Sequence, residues 1–261
     1  MSTIGNFATQ SYLSYRGLFG WLNWPAYTSN VFIRPVLLMA MFSLAGRFAG
    51  DEGAAQRYAV GMIALSEMQI VQGGITQTFH YERQFGTLWV LFSSAGSRIV
   101  AYLSRGVLHY GNALLSAATT LVFAWLLFGV ALPEADWAVV TAAVVLIALS
   151  SMTFSLMMGS FVIVLRDWFS GPALSYGLII ALTGAFIPRD ALPAPLDDLG
   201  LLLPLTWALP ALRDALGQGE ADVTRALLGE FGVAIAYLTI GLVLFRAVEW
   251  RARTNGTYDT V

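Results

Sequence analysis

The 261-residue sequence contains no cysteine, no lysine and only two histidines. Without cysteine there are no disulfides, no thiolate metal sites and no cysteine nucleophile. His80 and His109 do not fall at ligand spacing on one helical face. Neither an HExxH nor a phosphate-cradling GxxxxGK[ST] occurs, so the chain carries no motif for zinc proteolysis or ATP hydrolysis. Charge is also scarce: 11% of residues are charged, against roughly 25% in an ordinary soluble domain. The net charge of −2 offers nucleic acid no basic surface. The N-terminus lacks the basic region followed by an apolar core that marks a secretory signal. The first apolar span is therefore expected to stay in the mature protein.

Long apolar runs are plentiful. Hydrophobic residues make up 57% of the chain and gather in blocks long enough for a bilayer. A helix of about 22 residues covers ~33 Å, enough for the hydrocarbon core. Six blocks are legible, at about 27–48, 58–79, 107–128, 137–165, 172–187 and 226–248. The fourth is longer than a bilayer needs and the fifth is short. No 20–50-residue internal repeat is present. The expected fold is all-α and integral to the membrane, one domain over 1–261, with a six-helix core at 27–250 and a polar, mobile tail at 251–261.

Arginine placement sets the expected orientation. With both termini cytoplasmic, Arg16, Arg34, Arg83, Arg98, Arg105, Arg166, Arg246, Arg251 and Arg253 lie on or near the inside. Arg47, Arg57, Arg189, Arg213 and Arg225 lie outside. Nine against five satisfies the positive-inside rule. Residues 1–26 interleave Phe7, Tyr12, Tyr15, Phe19, Trp21 and Trp24 with polar residues. They read as an amphipathic helix in the cytoplasmic interface, or more plainly as the start of the first span.

Two stretches are neither spans nor simple loops. Residues 80–107, on the inner side, are helix-compatible, with Arg83, Arg98 and Arg105 spaced among apolar residues. Residues 188–213, on the outer side, hold Pro188, Pro193, Pro195, Pro204 and Pro210, each of which removes a backbone donor. Leu199 to Leu209 is nevertheless too apolar for a free loop, so a re-entrant pair of short helices in the outer leaflet is expected. Broken backbone at that depth is tolerated only inside protein or against a wet cavity.

Among ionisable groups, Glu67 stands near the middle of the second block. A carboxylate there must pair, face the protein interior or carry a proton. Arg34, near the inner end of the first block, is the expected partner in a helix–helix clamp; the competing reading makes Glu67 part of a polar pathway. His109 and the Gly159–Ser160 pair read as structural, a hydrogen-bonded histidine and a close helix contact.

The inner stretch reads Glu82-Arg83-Gln84-Phe85-Gly86-Thr87-Leu88, then Trp89, with Ser97-Arg98 following. The outer one has Gly184, Phe186-Ile187-Pro188, Leu192-Pro193, Pro204-Leu205-Thr206 and Arg213. Together, and in this order, they resemble the ABC-2 family of exporter permeases over nearly the whole chain. Trp89 stands where that family usually has Glu, and Ser94 where it often has Pro. The resemblance implies a permease that pairs with a second, identical or homologous copy in a bacterial cell membrane. It implies a separate ATP-binding subunit holding the ATP and Mg, this chain having no cofactor and no enzymatic activity of its own. Glu82, Arg83, Gly86, Thr87, Leu88, Trp89 and Arg98 would form the coupling segment, with Glu82, Gly86 and Trp89 on one helical face. Gly184, Pro188, Pro193, Pro204, Thr206 and Arg213 would form the outer motif. The cargo would be an outward-moving amphiphile: a drug, natural product, peptide, lipid or lipid-linked glycan. The run from Tyr15 to Trp21 leans toward the drug and natural-product branch, with antibiotic resistance as the associated role. A lipid-modifying membrane enzyme would need convergent catalytic residues, and none is legible. An ion-coupled permease would rest on Glu67 alone, without the paired broken helices of two repeated halves.

Overall fold

A computed structural model describes residues 23–49, 52–87, 98–165 and 170–255. The described residues are helical, with no strand among them. The long helices are α1 (Trp24–Phe48), α2 (Glu52–Gln84), α3 (Arg98–Phe128), α4 (Trp137–Leu165) and α8 (Val223–Asn255). Between α4 and α8 lie α5 (Ser170–Leu182), a 3-10 turn at Arg189–Ala191, and the short helices α6 (Ala194–Gly200) and α7 (Ala208–Ala215).

Four helices are long and apolar enough to cross a membrane: Trp24–Phe48, Ile99–Phe128, Trp137–Val162 and Val223–Arg251. A shorter apolar helix covers Gly171–Leu182. α2 is as long as α8, at 33 residues, but carries too many polar groups to stand among the four. Its polarity is sheltered by position, because it packs against α1, α3 and α4 and is the most buried helix of the bundle. Ala59, Val60, Ile63, Ala64, Leu65, Met68, Val71, Ile75 and Phe79 are all inaccessible. α4 packs mainly on α8 and α2, giving a bundle whose core runs along α2 and α4.

Local chemistry explains the element ends. Asn23 caps α1, its side chain accepting from Ala26 N–H at 3.1 Å, with Pro25 in the first turn, where a missing N–H costs nothing. Pro35 cannot donate back along α1, and the helix answers with a π turn over Ser29–Ile33, in which Arg34 N–H bonds Ser29 O. Asp136 accepts from Ala138 and Val139 N–H at 3.0 and 3.2 Å to start α4. Gly129, at φ 67°, follows the end of α3.

Several boundaries differ from the sequence expectation: α2 extends past both ends of the 58–79 block, and α5 stops at Leu182 rather than near residue 187. α1 begins at Trp24, inside the segment assigned to an interfacial helix; residues 1–22 of that segment lie outside the described residues. α3 begins at Arg98 rather than near residue 107. α8 continues through Asn255, so 251–255 are helical and not tail; 256–261 lie outside the described residues.

Close packing is strictest where α2 meets the turn after α5. A Cβ on Gly61 would stand 2.2 Å from the Ala185 carbonyl oxygen, a backbone atom that cannot swing away. Gly73, two-thirds of the way along the same helix, has nothing within 4 Å of that position. Gly61→Ala is expected to cost about 1–3 kcal/mol through forced overpacking. Gly73→Ala is expected to leave stability unchanged or raise it by up to about 1 kcal/mol through helix propensity. Thermal unfolding of the detergent-solubilised chain measures both, and equal effects at the two sites would contradict this packing.

Candidate functional site

Two polar assemblies stand out, one at each end of the bundle. The first is built around the break between α5 and α8. α5 ends where Gly184 adopts φ 83°, a conformation that favours glycine. The carbonyls of Gly184 and Ala185 are then left without helical donors. Arg213, on α7, supplies them, its Nη2 donating at 2.8 and 3.1 Å. Phe186 anchors the same turn by packing on Phe42 of α1 and Tyr58 of α2, ring centroids 4.6 and 5.3 Å apart.

The Pro204-Leu205-Thr206 triplet is the second break. Leu205 sits at φ 66° with its side chain wholly buried, a strained state for a non-glycine residue that persists only where surroundings enforce it. Glu230 of α8 enforces it. Its Oε1 accepts from Leu205 N–H at 2.7 Å and from the Ser150 hydroxyl of α4. Its Oε2 accepts from Trp207 and Ala208 N–H, each at 3.1 Å. One buried carboxylate thus satisfies the first free N–H groups of α7 and ties α4, α7 and α8 together. Gly229 makes the approach feasible, since a Cβ there would lie 2.5 Å from the Trp207 ring. The indole N–H in turn donates to Leu201 O at 2.9 Å, and Tyr237 donates to Leu202 O at 2.6 Å.

The outer motif residues therefore act through backbone. Gly184 and Arg213 meet directly. Pro188 precedes the 3-10 turn and Pro193 precedes α6. Thr206 is fully buried with its hydroxyl unpartnered. Glu230 was missed in the sequence, although an acid four residues inside the sixth apolar block is the signal that should have exposed it.

The expected clamp between Glu67 and Arg34 does not form. Glu67 is wholly buried and both its oxygens lack a hydrogen-bond partner. Arg34 is exposed on another flank of α1. Helical phase is the reason: α1 turns Met39, Ser43 and Gly46 into the bundle, and Arg34 falls outside that stripe.

The second assembly joins the C-terminal end of α2 to the N-terminal part of α3. Glu82 is 4% exposed and accepts from Arg105 Nε and Nη2 at 2.9 and 2.7 Å through one oxygen, Oε1. One turn further in, the Thr78 hydroxyl lies 3.2 Å from His109 Nε2, the structural role expected of that histidine. Gly74 gives the imidazole room, a Cβ there falling 2.0 Å from Nδ1. Gly159 likewise admits Phe79, and Ser160 meets the Tyr102 hydroxyl at 3.1 Å.

The coupling face expected for Glu82, Gly86 and Trp89 is not what α2 presents. Gly86 takes φ 65° and ends the helix, with Gly86 N–H bonding Arg83 O and Thr87 N–H bonding Glu82 O at 3.0 and 2.8 Å. That is a Schellman cap, in which the left-handed glycine lets the last carbonyls find donors. Glu82 faces inward, while Gln84, Phe85, Gly86 and Thr87 are exposed. Leu88 and Trp89 lie outside the described residues, and Arg98 opens α3 without a described side chain.

No group of three His, Asp or Glu side chains that could hold a metal occurs among the described residues. What these assemblies make is a set of long apolar helices with a broken, charge-pinned segment at one end and a capped, charge-paired helix end at the other. Such an arrangement is that of a multi-pass membrane protein. Residues 11–216 match the ABC-2 type transporter family, and the chain belongs to it, as a permease component of an ABC transporter. No match is found among curated proteins.

Two variants test these assemblies. Glu230→Gln replaces one acceptor oxygen by an NH₂ facing backbone donors. It is expected to cost about 2–3 kcal/mol and to raise labelling of a cysteine placed at Thr206 in this cysteine-free chain. Unchanged melting and labelling would remove Glu230 from this role. For the Glu82–Arg105 pair, Glu82→Arg and Arg105→Glu should each destabilise, and the double exchange should recover part of the loss, a coupling of roughly 1–3 kcal/mol. Strictly additive losses would mean the two charges act separately.

Proposed function

We propose that this chain is the permease of an ATP-driven exporter that moves an amphiphile outward across the cytoplasmic membrane of a bacterium. In this reading α1, α2, α3, α4, α5 and α8 are six spans with both termini cytoplasmic. The short helices α6 and α7 dip into the outer leaflet, and two permeases pair around the pathway. Family membership over 11–216 carries the reading. Two features of the chain support it. α2 is polar along its length yet belongs inside the bundle. Freed backbone groups of the break between α5 and α8 are met from within the protein by Arg213 and Glu230, as backbone at membrane depth requires. The drug and natural-product branch remains the favoured cargo class.

The ATP-binding subunit docks at the inner end of α2. Phe85 is 63% exposed there and stacks on Tyr81 with ring centroids 6.0 Å apart. An exposed aromatic anchor beside a capped helix end suits an interface. Arg83, Gly86 and Thr87 surround it, while Glu82 holds the helix end against α3 from behind. Motion of the ATPase would then move α2 and α3 as one body.

Phe85→Asp is expected to leave the permease inserted and folded but to weaken co-purification of the ATP-binding subunit by about ten-fold or more, the loss typical of an aromatic anchor. Normal ATPase binding and normal export in this variant would remove the inner end of α2 from the interface. In the same background, single cysteines at residues 83 and 220 fix the topology. Residue 220 should label from outside intact cells and residue 83 only after permeabilisation.

A further inference from the structure

Glu67 is the buried acid that the fold leaves unanswered. It stands one residue from the middle of the 33-residue α2, ~22 Å of helix from the nearer end. Its exposure is 0%, and neither oxygen has a hydrogen-bond partner. Two contacts show what lies across from it. Thr78 meets His109 at 3.2 Å and Ser66 meets Thr120 at 3.5 Å, so α3 runs antiparallel to α2. Glu67 follows Ser66 toward Thr78, and Ser116 lies one turn from Thr120 toward His109. Ser116 is likewise wholly buried, with its hydroxyl unpartnered. The apolar core parts at this level. One cluster reaches Met68 and Ala117, and the other starts at Val71 and Ala113.

Among the described residues no cation answers Glu67. Arg34 and Arg47 of α1 are exposed, as is Arg57, ten residues away on α2 itself. Arg105 and His109 of α3 are engaged by Glu82 and Thr78, and Arg98 opens α3 ~27 Å of helix before Ser116. Tyr110 donates its hydroxyl to Val145 O. Arg213 of α7 is engaged by the Gly184 and Ala185 carbonyls. α4 contains no ionisable residue and α5 only Tyr176. Glu230 of α8 is itself an acid, already supplied with donors. A carboxylate enclosed without a partner is so costly that such groups take up a proton instead. Sodium is a poorer answer. Its sites in membranes use carbonyls freed by broken helices, and α2, α3 and α4 run unbroken through this level.

We propose that Glu67 is a proton-binding site in the middle of the bundle, held as the neutral acid and bridged to the Ser116 hydroxyl by water. A buried water needs about two to four polar partners, and both Glu67 oxygens and the Ser116 hydroxyl stand available. The proton comes from bulk water and returns to it. The site does not depend on an ATPase, and its failure would leave the exporter reading untouched.

Infrared spectroscopy of the purified full chain in detergent at neutral pH tests it. The wild type should show the C=O stretching band of a protonated carboxylic acid. Glu67→Gln should lose that band, while Glu82→Gln should keep it. Transfer into D₂O should shift the band, and Ser116→Ala should move it to higher frequency by removing a hydrogen-bonded neighbour. Glu67→Gln keeps the shape and neutrality of the acid, so its melting temperature should match the wild type. Replacing sodium by choline should leave both melting temperatures where they are. Absence of the band in the wild type, or its undiminished survival in Glu67→Gln, would overturn the proposal. So would a melting temperature that follows sodium, which would make a metal cation the occupant. A band indifferent both to D₂O and to Ser116→Ala would exclude the water bridge and overturn the site as stated. A Glu67→Gln chain that fails to fold would count against a neutral acid. The sodium and Ser116→Ala measurements, on chains that keep Glu67, decide the question independently.

Discussion

A hydrocarbon interior gives a backbone nothing to bond to, so every interruption of a helix inside it must be repaired from within the protein. This chain interrupts its helices deliberately and repairs each one by a different means. At Pro35 the helix repairs itself, reaching one residue further back. At Gly184 the freed carbonyls are met by a cation, Arg213. At 205–208 the freed N–H groups are met by an anion, Glu230. The signs follow from the ends involved, since a helix terminus that exposes C=O attracts positive charge and one that exposes N–H attracts negative charge. The buried charges near α6 and α7 are thus consequences of the broken backbone beside them.

The two ends of the bundle are built on opposite terms. At one end charges bond to backbone, so loosening them frees main chain as well as side chain. At the other, Glu82 bonds to Arg105 and the helix end closes on itself through Gly86, so α2 and α3 are joined without any strained residue. A segment held by one carboxylate through four donors is cooperative, because removing any one element releases the others. Two helices joined by an ion pair and a hydroxyl–imidazole contact behave instead as a stiff couple. The two ends therefore differ in how a local change would spread: one would loosen as a unit, the other would move as a unit.

Much of the arrangement was legible from residue types alone. Long apolar runs marked the helices, and proline density marked the broken segment. The glycine and arginine of the outer motif turned out to touch. What escaped depended on phase and on backbone state. Whether Arg34 could reach Glu67 hinged on which face of α1 turned inward, and the buried Pro35, Met39, Ser43 and Gly46 mark that face without forming a strong amphipathic stripe. Gly86 read as part of a continuous helical face, because glycine serves both helix packing and left-handed caps and the sequence does not say which. Glu230 was hidden by its setting near the start of an apolar block, where an acid passes for a boundary residue. Its partners are main-chain N–H groups some 22 to 25 residues away, which have no sequence signature of their own.

The π turn at Ser29–Ile33 holds one residue more than an α-helix would use for the same rise. Closing it to ordinary pitch elsewhere along α1 would turn everything before it by about 100° and shift it by about 1.5 Å relative to everything after it. Trp24 and Tyr27 lie before the turn and Arg34 lies after it. The bond from the Tyr27 hydroxyl to Asn112 of α3, at 2.9 Å, is what fixes the present setting. α1 is therefore a shaft with a slip joint, in which Trp24 and Tyr27 can keep their place while Arg34 turns to a new bearing.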